Sequence, residues 1–227
     1  MLNHQLEVSL PSIESKEPSV LALWFYPIQA PLKPITKEEA QWAHELPTKR
    51  SRQYQHSRGY VREALSEMWD IPALKVPLNA APGKPPELEP GWGNISFSHC
   101  SDRLLIGWSP KQIGVDIERA DRCFKANQIQ MRYFSEADKK DLINLKAEDL
   151  RAAVLKKWVI KEAAIKWQKG DLASGISQWR FCEEKEMALH QSLELKINLK
   201  FFHFENWYIA IAFNKKTNKD PIIICQN

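Results

Sequence analysis

NISFSHCSDRLLIGWSPKQIGVDIE, residues 94–118, is the stretch on which the fold turns. Three short apolar runs lie within it, at 94–98, 104–109 and 114–118, and each reads as a strand. The first two form a β-hairpin and the third follows at once. Toward the N-terminus, 20–26 (VLALWFY) is apolar and β-prone, a buried strand, and Pro27, Pro31 and Pro34 mark the loop after it. Residues 37–46 and 50–69 read as helices, the second carrying Tyr54, Val61, Leu65 and Met68 at helical spacing. Six prolines fall in 72–93, which predicts a structured loop or linker.

Toward the C-terminus, 124–168 is helical with expected breaks near Ser135 and Lys146. Ser135 followed by Asp138 resembles a helix-capping start, with Asp in place of the usual Glu or Gln. Gly170 and Gly175 close this section, and 176–182, 193–204 and 207–213 are expected strands. The order is β, α, loop, β-hairpin, β, α, then β-hairpins. That is an α+β arrangement with mainly antiparallel pairing. A boundary near residue 110 would divide the chain into halves at 1–110 and 111–227.

Composition narrows the function classes. A chain of 227 residues with 44% hydrophobic and 26% charged residues can bury a core. The net charge of +4 is mild, which argues against a nucleic-acid binder of the polybasic type. Positive charge is nonetheless clustered: Lys49, Arg50, Arg52, Arg58 and Arg62 fall in 47–62, a span with no acidic residue. Cys100, Cys123, Cys182 and Cys225 form no CxxC pair, so neither a zinc site nor a disulfide framework is expected. With no signal-like start and no membrane-length apolar run, a soluble cytoplasmic protein is the expectation.

Two patterns carry chemistry. In the strand 114–118 (GVDIE), period two sends Asp116 and Glu118 to one side and Val115 and Ile117 to the core. Neighbouring carboxylates repel unless a cation or proton lies between them, and hard oxygen ligands suit magnesium. A solvated acidic face is the competing interpretation. In the helix 150–168, Leu155, Trp158, Val159 and Ile165 fall within ~60° of Glu162, so Glu162 lies on the apolar face with Lys166 one turn on. A buried carboxylate costs several kcal/mol unless paired or metal-bound. An exposed i, i+4 Glu–Lys pair returns only ~0.3–0.5 kcal/mol.

Weaker signals accompany them. Ser98 and His99, placed just past a strand end, could bind a phosphate through hydroxyl, backbone N–H and imidazolium. Arg58 and Arg62 share a helix face suited to a phosphate, or are simply solvated. Gly83-Lys84-Pro85 lacks the spacing of a nucleotide-binding P-loop.

Taken in order, Gly83-Lys84-Pro85, 94–99, 114–118, Arg132-Tyr133-Phe134-Ser135, and Trp158 with Lys161-Glu162-Ala163 and Lys166 resemble the Sfp-type 4′-phosphopantetheinyl transferases. The resemblance runs from about Lys49 to Gly170. It implies a pseudo-dimer of two similar α+β halves with coenzyme A in the cleft between them. Asp116, Glu118 and Glu162 match magnesium ligands, and Lys166 matches the lysine at the pyrophosphate. Glu162 also matches a base for the acceptor serine. Lys84, Pro85, Ser98 and His99 match coenzyme A contacts, and Lys49, Arg52 and Arg62 match basic positions near its phosphates. The metal role of Asp138 stays open. The implied reaction moves phosphopantetheine from coenzyme A to a serine of an apo acyl or peptidyl carrier protein. It leaves adenosine 3′,5′-bisphosphate, and the enzyme is expected to be a monomer. A magnesium-dependent nuclease or a non-catalytic carrier-protein-binding module are the competing classes.

Overall fold

Backbone alternation sorts the side chains into layers. A computed structural model of the chain describes residues 21–214 and 222–225. The N-terminal stretch inspected for a signal segment, and the side chain of Cys225, lie outside the described residues. Strand β1 (Ala22–Pro27) is followed by helix α1 (Lys37–His44), which opens on a capping box. There Thr36 accepts from the Glu39 N–H while Glu39 accepts from the Thr36 N–H. Helix α2 (Thr48–Trp69) ends at Asp70 in the left-handed region (φ 52°).

The proline-rich segment holds a single 3₁₀ turn and the two-residue strands β2 (Leu78–Asn79) and β3 (Glu87–Leu88). β4 (Asn94–Cys100), β5 (Arg103–Ser109) and β6 (Ile113–Arg119) follow. The helical section breaks where expected, into α3 (Ala126–Tyr133), α4 (Glu136–Leu142) and α5 (Ala147–Gln168). The short α6 (Leu172–Gly175) leads into β7 (Trp179–Cys182), β8 (Met187–His190), β9 (Lys196–Phe204), β10 (Trp207–Phe213) and β11 (Ile222–Cys225).

One large sheet has the order β11-β1-β5-β4, the other β6-β10-β9-β8-β7, and β2 and β3 form a separate antiparallel two-stranded sheet. Pairing is antiparallel except between β11 and β1, which run parallel. Ala22, Trp24 and Tyr26 of β1 pack under Tyr60, Val61, Ala64 and Leu65 of α2. The alternate residues Leu23 and Phe25 turn the other way and meet Trp207, Ile209, Ile211 and Phe213 of β10. Ala210 and Ala212, on the opposite face of β10, pack against α5. The layers are therefore helix, sheet, sheet, helix, with a 22-residue helix on each outside. This mixed architecture is the expected α+β class. No helix among the described residues is long and apolar enough to cross a membrane.

The chain passes between the two sheets at 110–112, and β11 returns to the first sheet. β4 and β6 lie side by side without a backbone ladder between them. Side chains bridge the pair instead: Ser96 Oγ accepts from Val115 N–H (3.0 Å), Ser98 Oγ donates to Asp116 Oδ1 (2.6 Å), and Cys100 Sγ donates to Glu118 Oε2 (2.9 Å). The near-constant sequence offset across the three rungs means that the strands run parallel.

The structure amends the expected elements at the C-terminal end. The strands placed at 176–182 and 193–204 begin only at Trp179 and Lys196. β8 was not foreseen, because Met187-Ala188-Leu189-His190 has weak β preference and owes its form to pairing with β7 and β9. Cys100, Cys123 and Cys182 are free thiols.

Candidate active site

Gly114 brings the two chemical motifs together. A Cβ at this position would lie 2.1 Å from the Ala163 carbonyl oxygen and 2.3 Å from the Trp167 nitrogen, so β6 and α5 touch backbone to backbone. Two residues beyond this contact, Asp116 faces Lys166: Nζ lies 2.7 Å from Asp116 Oδ1 and 3.8 Å from Glu162 Oε2. Val115 and Ile117 point into the core between the sheets, as period two requires.

Ser98 closes the cluster by accepting from Lys166 (2.8 Å) while donating to Asp116. It is 6% exposed and lies inside β4. The expectation of a hydroxyl just past a strand end is therefore corrected: Ser98 is a bridge between two charged groups. Glu118 accepts from Cys100 and from Arg122 (2.5 Å). Burial, then Glu118, pushes the Cys100 thiol up to about 12, so it serves as a neutral donor.

Electrostatics single out α5. Desolvation first, then the nearby Asp116 and Glu118 charges, hold the Glu162 carboxyl well above the usual carboxylate range against the pull of Lys166. For Lys166 desolvation acts downward, but Asp116 and Glu162 outweigh it and keep the ammonium above the ordinary lysine range. Its side chain stays 29% open to solvent and lines a cleft of about 810 Å³. That cleft runs between the proline-rich loop and the C-terminal end of α5. Arg58, Lys84, Pro85, Phe97 and Lys169 also line it.

The other expected phosphate contacts divide. Lys84 and Pro85 line the cleft, whereas Lys49 and Arg52 stand exposed on the first turns of α2 and do not. Arg62 requires a correction. It is 2% exposed and grips Glu39 with two bonds (2.8 and 3.0 Å), and it also donates to the carbonyls of Val76 and Leu78. It ties α1 and the proline-rich loop to α2 and has no free donor face for a phosphate. Arg58 is the arginine at the cleft, held by two bonds to the Ala80 carbonyl and stacked on Tyr54 and Phe97. Tyr54, one turn before Arg58, was the signal that could have separated the two arginines.

His99 reaches the surface, on the strand face opposite Ser98. The protein around its ring still desolvates it, and the Lys166 and Arg58 charges act in the same direction. Together they take it down to about 4. The lowered proton affinity works against the imidazolium expected from the sequence.

Lys161 was not foreseen as buried. It is 1% exposed and donates to Asp138 Oδ2 (2.7 Å), to the Ile176 carbonyl (3.0 Å) and to the Trp179 carbonyl. Asp138 also accepts from Ser135 (2.7 Å) and from Lys157 (3.3 Å). Asp138 is thus the partner of Lys161 and stands apart from the Asp116 cluster.

A magnesium ion here would draw on Asp116, Glu118 and Glu162, and two observations fit an oxygen-seeking cation. Asp116 Oδ2 is buried with no hydrogen-bond partner, and the donors are all carboxylates. Among the described residues no three His, Cys, Asp or Glu form a ready metal cage. The arrangement fits an open site that ligand oxygens would have to complete.

Comparison with known proteins bears on this same region. No curated protein was found to match the chain. Residues 112–212, a little under half of the sequence, match the family model of the 4′-phosphopantetheinyl transferase superfamily. The matched segment contains β6, all of α5 and the sheet beneath it. Around Asp116, Glu162 and Lys166, this chain is similar to a superfamily of enzymes that transfer phosphopantetheine.

Proposed function

We propose that this protein is a magnesium-dependent 4′-phosphopantetheinyl transferase of the Sfp type that modifies apo carrier proteins. One observation carries the proposal. A part-buried Asp–Glu–Lys cluster, inside a segment similar to that superfamily, reaches through Lys166 a cleft that Arg58, Lys84 and Lys169 also line, beside the acids Glu87 and Asp171. The two sheet-and-helix layers are the two halves of the proposed pseudo-dimer, with coenzyme A lying in the cleft between them.

In the proposed reaction the serine hydroxyl of the carrier protein attacks the β-phosphorus of coenzyme A. The bond to adenosine 3′,5′-bisphosphate breaks, and the serine proton passes to Glu162. Lys166, already on the cleft wall, places its ammonium where negative charge grows on the leaving phosphate. Lys84 and Arg58 bring further positive charge to the diphosphate and adenosine phosphate of the substrate. Bound magnesium would supply charge neutralisation at the pyrophosphate.

The test is to incubate the full chain with magnesium, labelled coenzyme A and several apo carrier proteins. Transfer of label to the carrier serine, and formation of adenosine 3′,5′-bisphosphate, are the expected results. No label on any carrier, together with nicking of DNA under the same conditions, would replace this reading with that of a nuclease.

A further inference from the structure

Lys166 occupies a place that a metal would also want. Its ammonium sits 2.7 Å from Asp116 Oδ1 and 3.8 Å from Glu162 Oε2, the two carboxylates with the strongest reason to bind a cation. The second oxygen of Asp116 is buried and unsatisfied. Ser98 fixes the ammonium there, accepting from Lys166 at 2.8 Å while donating to the same Asp116 oxygen at 2.6 Å. One internal cation therefore serves both acids in the ligand-free protein. The same side chain lines the cleft and is 29% exposed, so it has somewhere to go. Lys161, five residues earlier, has no such outlet, because two backbone carbonyls and Asp138 enclose its ammonium.

Resting on the transferase reading only for what the metal is used for, we propose that Lys166 is a built-in stand-in for the divalent cation. Metal entry displaces its ammonium from Asp116 into the cleft. Cation replaces cation at the acids, so the acid cluster never stands uncompensated. The displaced ammonium arrives on the side where an anionic substrate lies. Metal loading and lysine release are then one event, with Ser98 as the positioning residue that sets how firmly the lysine is held. The metal should consequently bind weakly to the protein alone and more tightly once an anion in the cleft receives Lys166.

The experiment is a titration of the full-length protein with Mn²⁺ alone, following free Mn²⁺ by electron paramagnetic resonance, with circular dichroism to confirm the fold of each variant. Lys166→Met removes the competing cation and should bind Mn²⁺ at least ~10-fold more tightly than wild type, from the charge separations involved. Ser98→Ala leaves every charge in place and only loosens the lysine, so it should tighten binding by a smaller factor of ~2–5. Unchanged or weaker binding by Lys166→Met overturns the proposal. Tightening by Lys166→Met with no change in Ser98→Ala also overturns it, because a field effect would then suffice. If wild type transfers phosphopantetheine while neither variant tightens, the stand-in is lost and the transferase reading survives. If both variants tighten while wild type transfers nothing, the converse holds.

Discussion

Helix α5 supplies the lysines of two Asp–Lys pairs, Lys161 with Asp138 of α4 and Lys166 with Asp116 of β6, and the pairs are built to opposite ends. The Lys161–Asp138 pair is closed: both side chains are 1% exposed, and each charged group has several partners. The Lys166–Asp116 pair is open. One carboxylate oxygen has no partner, a second acid lies beside it, and the lysine faces a cleft. Charge alone does not separate them, and the aspartates are equally buried. What separates them is whether the hydrogen-bond capacity of the pair is exhausted inside the protein.

The partners of the closed pair do not respond alike. Burial raises Asp138, but Lys161 and Ser135 outweigh it and leave the carboxyl below its ordinary range. Burial dominates for Lys161 and holds it below the ordinary lysine range despite Asp138. With a carboxylate and two carbonyls around it, the Lys161 amine has all its partners inside the protein. Such a pair is costly to break even if it adds little over an apolar replacement.

Breaking the open pair should give the largest effect. Glu162→Gln or Lys166→Met is expected to lower kcat at least ~10³-fold, the range of a lost base or charge stabiliser. The melting temperature of Glu162→Gln should hold or rise, since its carboxylate is held in place at a cost. Turnover near wild type in either variant, measured with labelled coenzyme A, would erase the distinction between the pairs.

Breaking the closed pair should do the reverse. Asp138→Ala strands a buried ammonium and is expected to cost about 3–5 kcal/mol in urea unfolding. Under native conditions the variant should keep most of its turnover. Acid sharpens the point. Because the folded-state pKa of Asp138 is depressed, its contribution is complete above the unfolded value of about 3.9 and fades as pH falls through the folded value. Asp138→Asn should therefore show a shallower loss of stability between pH 5 and pH 3 than wild type, by chemical unfolding at each pH. An equally steep acid limb would mean that other carboxylates carry it. The smallest effect is expected at the exposed Lys169–Glu87 pair beside the cleft. There Lys169→Ala should change stability by less than about 1 kcal/mol.

The sequence marked the residues of the open pair without pairing them, since Lys166 was expected at a phosphate and not on Asp116, and it hid the closed pair altogether, for a physical reason. Glu162 stood out because a helical wheel placed an acid among Leu155, Trp158, Val159 and Ile165. Lys161 lies 100° around the helix, and α5 turned out to be buried on that side also, under Ile176 and Trp179. Only tertiary packing reveals that. The pairing of Asp116 with Glu118 was readable from period two, and the break at Ser135 from cap chemistry. Arg62 was misassigned because a basic helix face looks the same whether it meets phosphate or Glu39. Its partner lies 23 residues away, on a helix whose position the sequence does not declare. The bridging role of Ser98 was equally out of reach, since it depends on β4 lying alongside β6.

That alongside placement has a consequence of its own. Strands joined by a backbone ladder are held by groups that every residue but proline supplies, so almost any sequence can keep the join. Ser96, Ser98 and Cys100 make the join here with two hydroxyls and a thiol, side by side with a strand from the other sheet. The polar part of the alignment of the two sheets is therefore spelled out at three codons, beside the apolar layer that Leu23 and Phe25 form with β10. It can be edited one hydrogen bond at a time without touching the ladder of either sheet.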